Sequence, residues 1–277
     1  MNLSVASNVL RQINSKLGGD LFNLKFAKEL TGNTMLIGID VCHSGPQSIV
    51  GFCASVNRQR SQYYSERILQ RKGQEIVTKQ LKETIKRALA CFQDRHGDFP
   101  EHFIIYRDGV GDAMRRQVLQ AEVQQLREAI NETYNLAKKK PHITVIIVNK
   151  RITQRFFIED GGRLNNPPSG ALIDTGVVEN QDSMTEYDFY LVPQTTTQGC
   201  VLPTHFYVAF NDSPVNKASI EKLTFDLCHY YFNWAGAIKV PAPCMYAHKI
   251  AELFMNLGKE ARGIEFGERI AQSLHFL

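Results

Sequence analysis

The sequence is poor in the features that would assign it quickly. None of its six cysteines (Cys42, Cys53, Cys91, Cys200, Cys228 and Cys244) forms a C-x-x-C pair, and no run near the N-terminus has the charged-then-apolar order of a signal peptide. Together these predict a reducing, intracellular compartment, cytoplasm or nucleus. No apolar stretch approaches the roughly 20 residues of a membrane-crossing helix, so a soluble chain is expected. The excess of one sign of charge is small as well. A net charge of +4 with a pI near 8.7 excludes nucleic-acid binding by bulk electrostatics alone, so any phosphate contacts must be local. There is no internal repeat and no low-complexity linker. What remains is 277 residues, 43% hydrophobic and 22% charged, a globular composition with length for one large domain or two ordinary ones.

Leu3 to Leu17 reads as a short helix stopped by Gly18 and Gly19. Met35–Val41 and Ser48–Val56 are apolar, partly β-branched runs separated by a Gly-Pro turn signal, which predicts a hairpin, with Gln62–Leu69 as a third strand. From Glu75 the period changes: Val77, Leu81, Ile85, Leu89 and Phe92 share one helical face. His102–Arg107 returns to a buried strand. Leu119, Val123, Leu126, Ile130, Tyr134 and Ala137 form a second helical stripe, and Ile143–Val148 a further strand. This alternation predicts parallel pairing. Beyond Asn165 prolines separate expected strands at Ala171–Val178, Phe189–Val192 and Phe206–Phe210. Two helices follow, one with the stripe Ile220, Leu223, Leu227, Tyr231 and Trp234, the other with Tyr246, Ile250, Leu253 and Leu257 after the breaker Pro241-Ala-Pro243.

Asp40 and Asp108 each end an apolar strand, where a carboxylate is desolvated. Such a group shifts its pKa or finds a cation, and two of them at strand ends can share a divalent metal. In an α/β sheet that is also where sites form. The structural alternative is that each aspartate caps a turn, as in Asp108-Gly109. Gly109-Val-Gly111 is no nucleotide-binding loop, since Met114 stands where a third glycine belongs and no P-loop lysine follows.

Several strings, in one order, carry a resemblance: INSKLGG (Ile13–Gly19), GIDVCHS (Gly38–Ser44), KGQE (Lys72–Glu75), YRDGVGD (Tyr106–Asp112), NKRITQRFF (Asn149–Phe157), LCHYYFNWAG (Leu227–Gly236) and VPAPCMYAHKIA (Val240–Ala251). They resemble the Piwi domain of Argonaute proteins, and the NW-x-G and PAPC-x-YAHK forms resemble its Piwi clade. The resemblance implies an α/β, RNase H-like fold with a central mixed sheet flanked by helices. It implies a remnant of the MID domain and linker at residues 1–30 and the Piwi domain at 31–277. The missing N-terminal, PAZ and MID portions imply a fragment that binds a guide weakly by itself.

The resemblance further implies an Asp-Glu-Asp-His tetrad at Asp40, Glu75, Asp108 and His248, with Glu75 on a loop that inserts into the site. Read alone, Glu75 is an acidic residue in a first helical turn and His248 a packing or surface histidine. The family's activity is a small-RNA-guided endoribonuclease. Two Mg²⁺ or Mn²⁺ ions, roughly 4 Å apart in such sites, would be bridged by Asp40 and held by Asp108, His248 and Glu75, leaving 3′-hydroxyl and 5′-phosphate ends. The implied partners are a Piwi-interacting guide RNA, a complementary target RNA and silencing-complex proteins. Gln12, Lys16, Lys150, Arg151, Arg155 and Tyr231 are the expected guide contacts, made mainly to its backbone. Gln12 and Leu253 replace the lysine and arginine of the other Argonaute branch. That matches the Piwi clade, where a metal ion sits at the guide's 5′ phosphate with the terminal carboxylate, here Leu277, as a ligand. The competing expectations are a guide-binding silencing scaffold that does not cut and a guide-independent RNase H-like nuclease.

Overall fold

A computed structural model describes residues 3–30, 32–43, 46–134, 140–180, 182–257, 263 and 266–277. Helix α1 (Leu3–Lys16) ends where Gly18 adopts φ 83°, a conformation suited to glycine. The strands are β1 (Thr34–Cys42), β2 (Ser48–Ser55), β3 (Tyr63–Gln70), β4 (His102–Asp108), β5 (His142–Asn149), β6 (Ile158–Asp160), β7 (Arg163–Asn165), β8 (Ala171–Ile173), β9 (Tyr187–Val192) and β10 (Thr204–Asn211). The helices after α1 are α2 (Leu81–His96), α3 (Arg115–Gln117), α4 (Gln124–Thr133), α5 (Lys217–Cys228), α6 (Ala242–Asn256) and α7 (Glu268–Ala271), with a π-helical segment, Val118–Val123, joining α3 to α4.

Eight strands form one mixed sheet in the order β3-β2-β1-β4-β5-β10-β9-β8, and β6 and β7 pair separately. β4 is parallel to both β1 and β5, as the strand–helix–strand alternation predicts; the remaining pairs are antiparallel. Side chains alternate between two cores because a strand has period two. Leu36, Ile104, Tyr106 and Val148 pack with α5 and α6 on one face. Ile37, Ile39, Ile105 and Val145 pack with α2 and α4 on the other. β1, β4 and β5 are covered on both sides, which is why they read as continuous apolar runs.

The observed elements follow the expected order, with corrections. The stripe from Val77 does not make a helix from Glu75. Gln80 has φ 68°, which no right-handed helix contains, so α2 begins at Leu81 and Glu75 lies on a loop. Asp40 stands two residues inside the end of β1. The strand expected over 171–178 stops at Ile173, and Gly176 beyond it has a positive φ of 78°. Tyr134, Tyr231, Trp234 and Leu257 extend their helical stripes past the true helix ends. Ala137, and Gly45 of the first turn signal, lie outside the described residues. The short elements β6, β7 and α7 carry too little apolar pattern to be read.

Candidate active site

The register that pairs Ile39 of β1 with Arg107 of β4 brings the next residues, Asp40 and Asp108, side by side on the sheet face covered by α6. They lie near the carboxyl ends of two parallel strands. Helix α6 reaches this face because two strand positions lack a side chain. A Cβ on Gly38 would lie 2.0 Å from the Pro243 carbonyl oxygen, and one on Gly51 would lie 1.8 Å from that of Ala247. At this separation His248, on α6, donates from Nδ1 to Asp40 Oδ2 at 2.7 Å. The loop after β3 supplies Glu75. All four residues line one cleft of about 490 Å³, together with His43, Gly109, Lys150 and Arg151.

Two identical side chains here meet opposite fates. Burial raises the Asp40 carboxyl, but the His248 hydrogen bond and the charges of Lys150, His248 and Arg107 outweigh it and hold the pKa below the ordinary value. Asp108 is 1% exposed, and burial together with the neighbouring Asp40 charge pushes it up, against the opposing pull of Lys150. Lys150 Nζ donates to Asp108 Oδ2 at 2.6 Å. Burial lowers the Lys150 ammonium, yet Asp108 more than compensates and its pKa is raised. Asp108 Oδ1 is buried without a hydrogen-bond partner.

Glu75 is gripped from two sides. His43 Nε2 donates to its Oε2 at 2.7 Å, while His43 Nδ1 lies 2.8 Å from Ser48 Oγ, which accepts from Gly73 N on the same loop. Arg107, fully buried, donates from Nη2 to the Glu75 carbonyl at 2.8 Å, and the same nitrogen is 2.9 Å from Glu75 Oε1 without hydrogen-bond geometry. Arg107 also pairs with Glu122, which over-compensates burial and keeps the guanidinium protonated.

The donor chemistry suits a hard divalent cation: carboxylate oxygens, two of them, Asp108 Oδ1 and Glu75 Oε1, buried without a hydrogen-bond partner, and an imidazole whose other nitrogen is held by a carboxylate. In this arrangement the carboxylates are engaged by Lys150, His248, His43 and Arg107. Among the described residues no group of three or more His, Cys, Asp or Glu side chains is assembled closely enough to hold a metal ion.

A family comparison decides the assignment: the Piwi domain matches residues 1–259. The chain belongs to the Piwi domain family. Piwi-like protein 1 of Gallus gallus is 40% identical over 258 residues, covering 91% of this chain and 28% of that protein. Protein argonaute-3 of Drosophila melanogaster is 36% identical over 277 residues, 99% of this chain and 30% of that protein. The crystal structure of Drosophila Piwi superposes with a TM-score of 0.83 at 29% identity, covering 99% of this chain and 36% of that one. Kluyveromyces polysporus Argonaute with a guide RNA gives a TM-score of 0.85 at 21% identity, covering 99% of this chain and 36% of that one, a likeness of fold. The Piwi domain is thus RNase H-like, and it spans under a third of the length of these two relatives.

The structure disposes the other expected site residues of this Piwi domain variously. Lys150 stands in the cleft on Asp108, and half of the pairing that holds it is buried. Arg151 lines the same cleft. Tyr231 lines a neighbouring cavity of about 1080 Å³ shared with Lys150, Trp234, Lys239, His248 and Lys249. Gln12, on α1, reaches that region by donating to Asn233 Oδ1 at 2.5 Å, and Asn233 in turn donates to Tyr231 Oη at 3.3 Å. Lys16 ends α1, close enough that its charge helps depress His275, after burial. Leu277 is buried in the α5–α6 core, and Leu253 is half-buried on α6. Arg155 is exposed and, among the described residues, donates to the nearby carbonyls of Ile152 and Gln154; it is not one of the residues lining the cleft.

Three residues escaped the sequence reading: His43, Arg107 and Glu122. Arg107 carried a signal, a cation inside an apolar strand that must find a buried counter-ion. The identity of that counter-ion was not readable.

Proposed function

We propose that this Piwi domain, in the intact protein, holds a small guide RNA and hydrolyses one phosphodiester of the RNA paired with it. The carrying observation is the convergence of Asp40, Glu75, Asp108 and His248 on one cleft, with a buried carboxylate oxygen of Asp108 left unpaired. Asp40, Asp108, His248 and Glu75 would hold divalent magnesium or manganese, which when bound supplies a nucleophilic water near neutral pH and neutralises charge on the phosphate. Asp40 orients the His248 ring through Nδ1, and His43 and Arg107 hold the Glu75 carboxylate. Lys150, a third exposed beside Asp108, would meet a backbone phosphate. The basic and aromatic cavity lined by Tyr231, Trp234, Lys239 and Lys249 suits a strand recognised by backbone and stacking. The likeness to an Argonaute with a guide RNA, and to Clostridium butyricum Argonaute bound to a guide DNA and a target DNA (TM-score 0.68, 15% identity), supports a guided nucleic-acid role.

Intact protein loaded with a guide should cut a complementary RNA at one position in Mg²⁺ or Mn²⁺ but not in EDTA, leaving a 3′-hydroxyl and a 5′-phosphate. Asp40→Ala and Asp108→Ala should each lose roughly a thousandfold in rate while retaining the guide. Undiminished cutting by these variants, or a cyclic phosphate on the upstream product, would reject the mechanism. A second reading, a guide-binding scaffold that does not cut, is favoured by the Lys150–Asp108 ion pair occupying a ligand oxygen; wild type that binds guide and target normally yet is inert would select it.

A further inference from the structure

The π-helical segment Val118–Val123 turns a carboxylate into the core. Glu122 is 3% exposed among apolar residues that include Ile39, Ile105 and Leu126. Burying an ion pair is rarely worth more than an apolar substitute, so what it contributes is the geometry it imposes. Glu122 accepts three hydrogen bonds: at Oε2 from Arg107 Nε (2.9 Å), and at Oε1 from Arg107 Nη2 (3.2 Å) and from Val77 N (2.9 Å).

The fork on Nε and Nη2 sets the plane of the guanidinium. Its outer edge is thereby aimed at the strand end and the loop, where Nη1 donates to the Asp108 carbonyl at 2.5 Å and Nη2 to the Glu75 carbonyl. Glu122 therefore grips the loop twice, directly at Val77 and through Arg107 at Glu75. The buried side chains of Ile76, in a small cluster with Val110, Val118 and Ile147, and of Val77, in the α2–α4 core, anchor the loop, but they aim no polar group. Without the Glu122 charge, the only other side-chain carboxylate that Arg107 pairs with among the described residues is Glu75 itself, and the guanidinium would turn toward it.

We propose that Glu122 is a positioning residue, a latch on the far side of the sheet that holds the Glu75 loop in the cleft and keeps Arg107 from drawing the Glu75 carboxylate out of place. The inference rests on the reading of the cleft as catalytic, and its test separates the two. In the intact, guide-loaded protein, Glu122→Gln keeps an acceptor for Val77 but loses the charge. It should lower the maximal cleavage rate roughly ten- to a hundredfold while changing target affinity less than about twofold. Amide exchange over residues 71–80 should rise while β4 and α2 keep wild-type protection. Glu122→Asp, which restores the charge, should recover part of the rate. Exchange over 71–80 unchanged, or raised uniformly across the domain, would overturn the latch, as would loss of target affinity in step with rate. Should Glu122→Gln not fold, Glu122→Asp read by the same local exchange decides. A wild type that never cuts would sink the proposed function alone, because the exchange result needs no catalysis.

Discussion

Asp40 and Asp108 show how far a side chain's chemistry is set by its neighbours. Both are buried aspartates on one sheet face, yet the hydrogen bond from His248 keeps one carboxyl low, while the first carboxylate helps to raise the second. A cation entering the cleft would relieve both the mutual repulsion and the orphaned Asp108 Oδ1. Mn²⁺ should therefore raise the melting temperature, by up to about 2.7 kcal/mol of added stability at a hundred times its dissociation constant. Asp108→Asn should lose most of that gain in the same thermal scan. Equal gains for wild type and variant would remove Asp108 from the ligand set. The aspartates were legible in the sequence because a charged residue at the end of an apolar run is anomalous by itself. Glu122 was not, because a glutamate within a helical pattern looks solvated until a π turn and the Arg107 partner are known.

At the scale of elements, the site depends on how closely α6 lies on β1 and β2. The sequence shows Gly38 and Gly51 only as glycines within apolar strands. Once α6 is placed, each proves to be a position where a side chain would enter a helix backbone carbonyl. Gly51→Ala should cost about 1–3 kcal/mol or more, since backbone rather than a flexible side chain must move. It should also weaken the His248–Asp40 contact through the shift of α6. Gly111→Ala is the control: its φ is −72° and its notional Cβ meets only Met114 Cε at 3.9 Å, so its effect should stay within about 0.5 kcal/mol. Urea denaturation of the three proteins decides; equal stabilities would mean that α6 tolerates displacement. The same scale explains the misread start of α2, because apolar spacing reports which residues face inward but not the backbone sign at Gln80.

For the whole molecule, stability should depend on acid through His102, at the end of the sheet where β4 begins. Its imidazole is pushed down to about 4, by burial first and then by the charges of His142 and Arg60, with Nε2 2.9 Å from Thr144 Oγ1. A histidine depressed on folding contributes stability that is present above its unfolded pKa of about 6.5 and lost as pH falls toward 4, up to about 3 kcal/mol by linkage. Glu221, raised to about 7 chiefly by burial, works the other way, gaining stability as pH falls through that range. The difference between wild type and His102→Asn isolates the histidine: the variant's denaturation midpoint should fall less between pH 7 and pH 4.5, and parallel pH profiles would refute the assignment. The strands of the central apolar runs, the helix faces, the parallel pairing and the family strings were determined by the sequence alone, because period-two and helical patterns and short motifs are local properties of the chain. The pairing of Asp40 with a histidine 208 residues away, the capture of Asp108 by Lys150, the grip of Arg107 and His43 on Glu75, and the exclusion of Arg155 from the cleft were decided only by the tertiary structure. Charge partners and desolvation arise from the approach of segments remote in sequence, which no local pattern encodes.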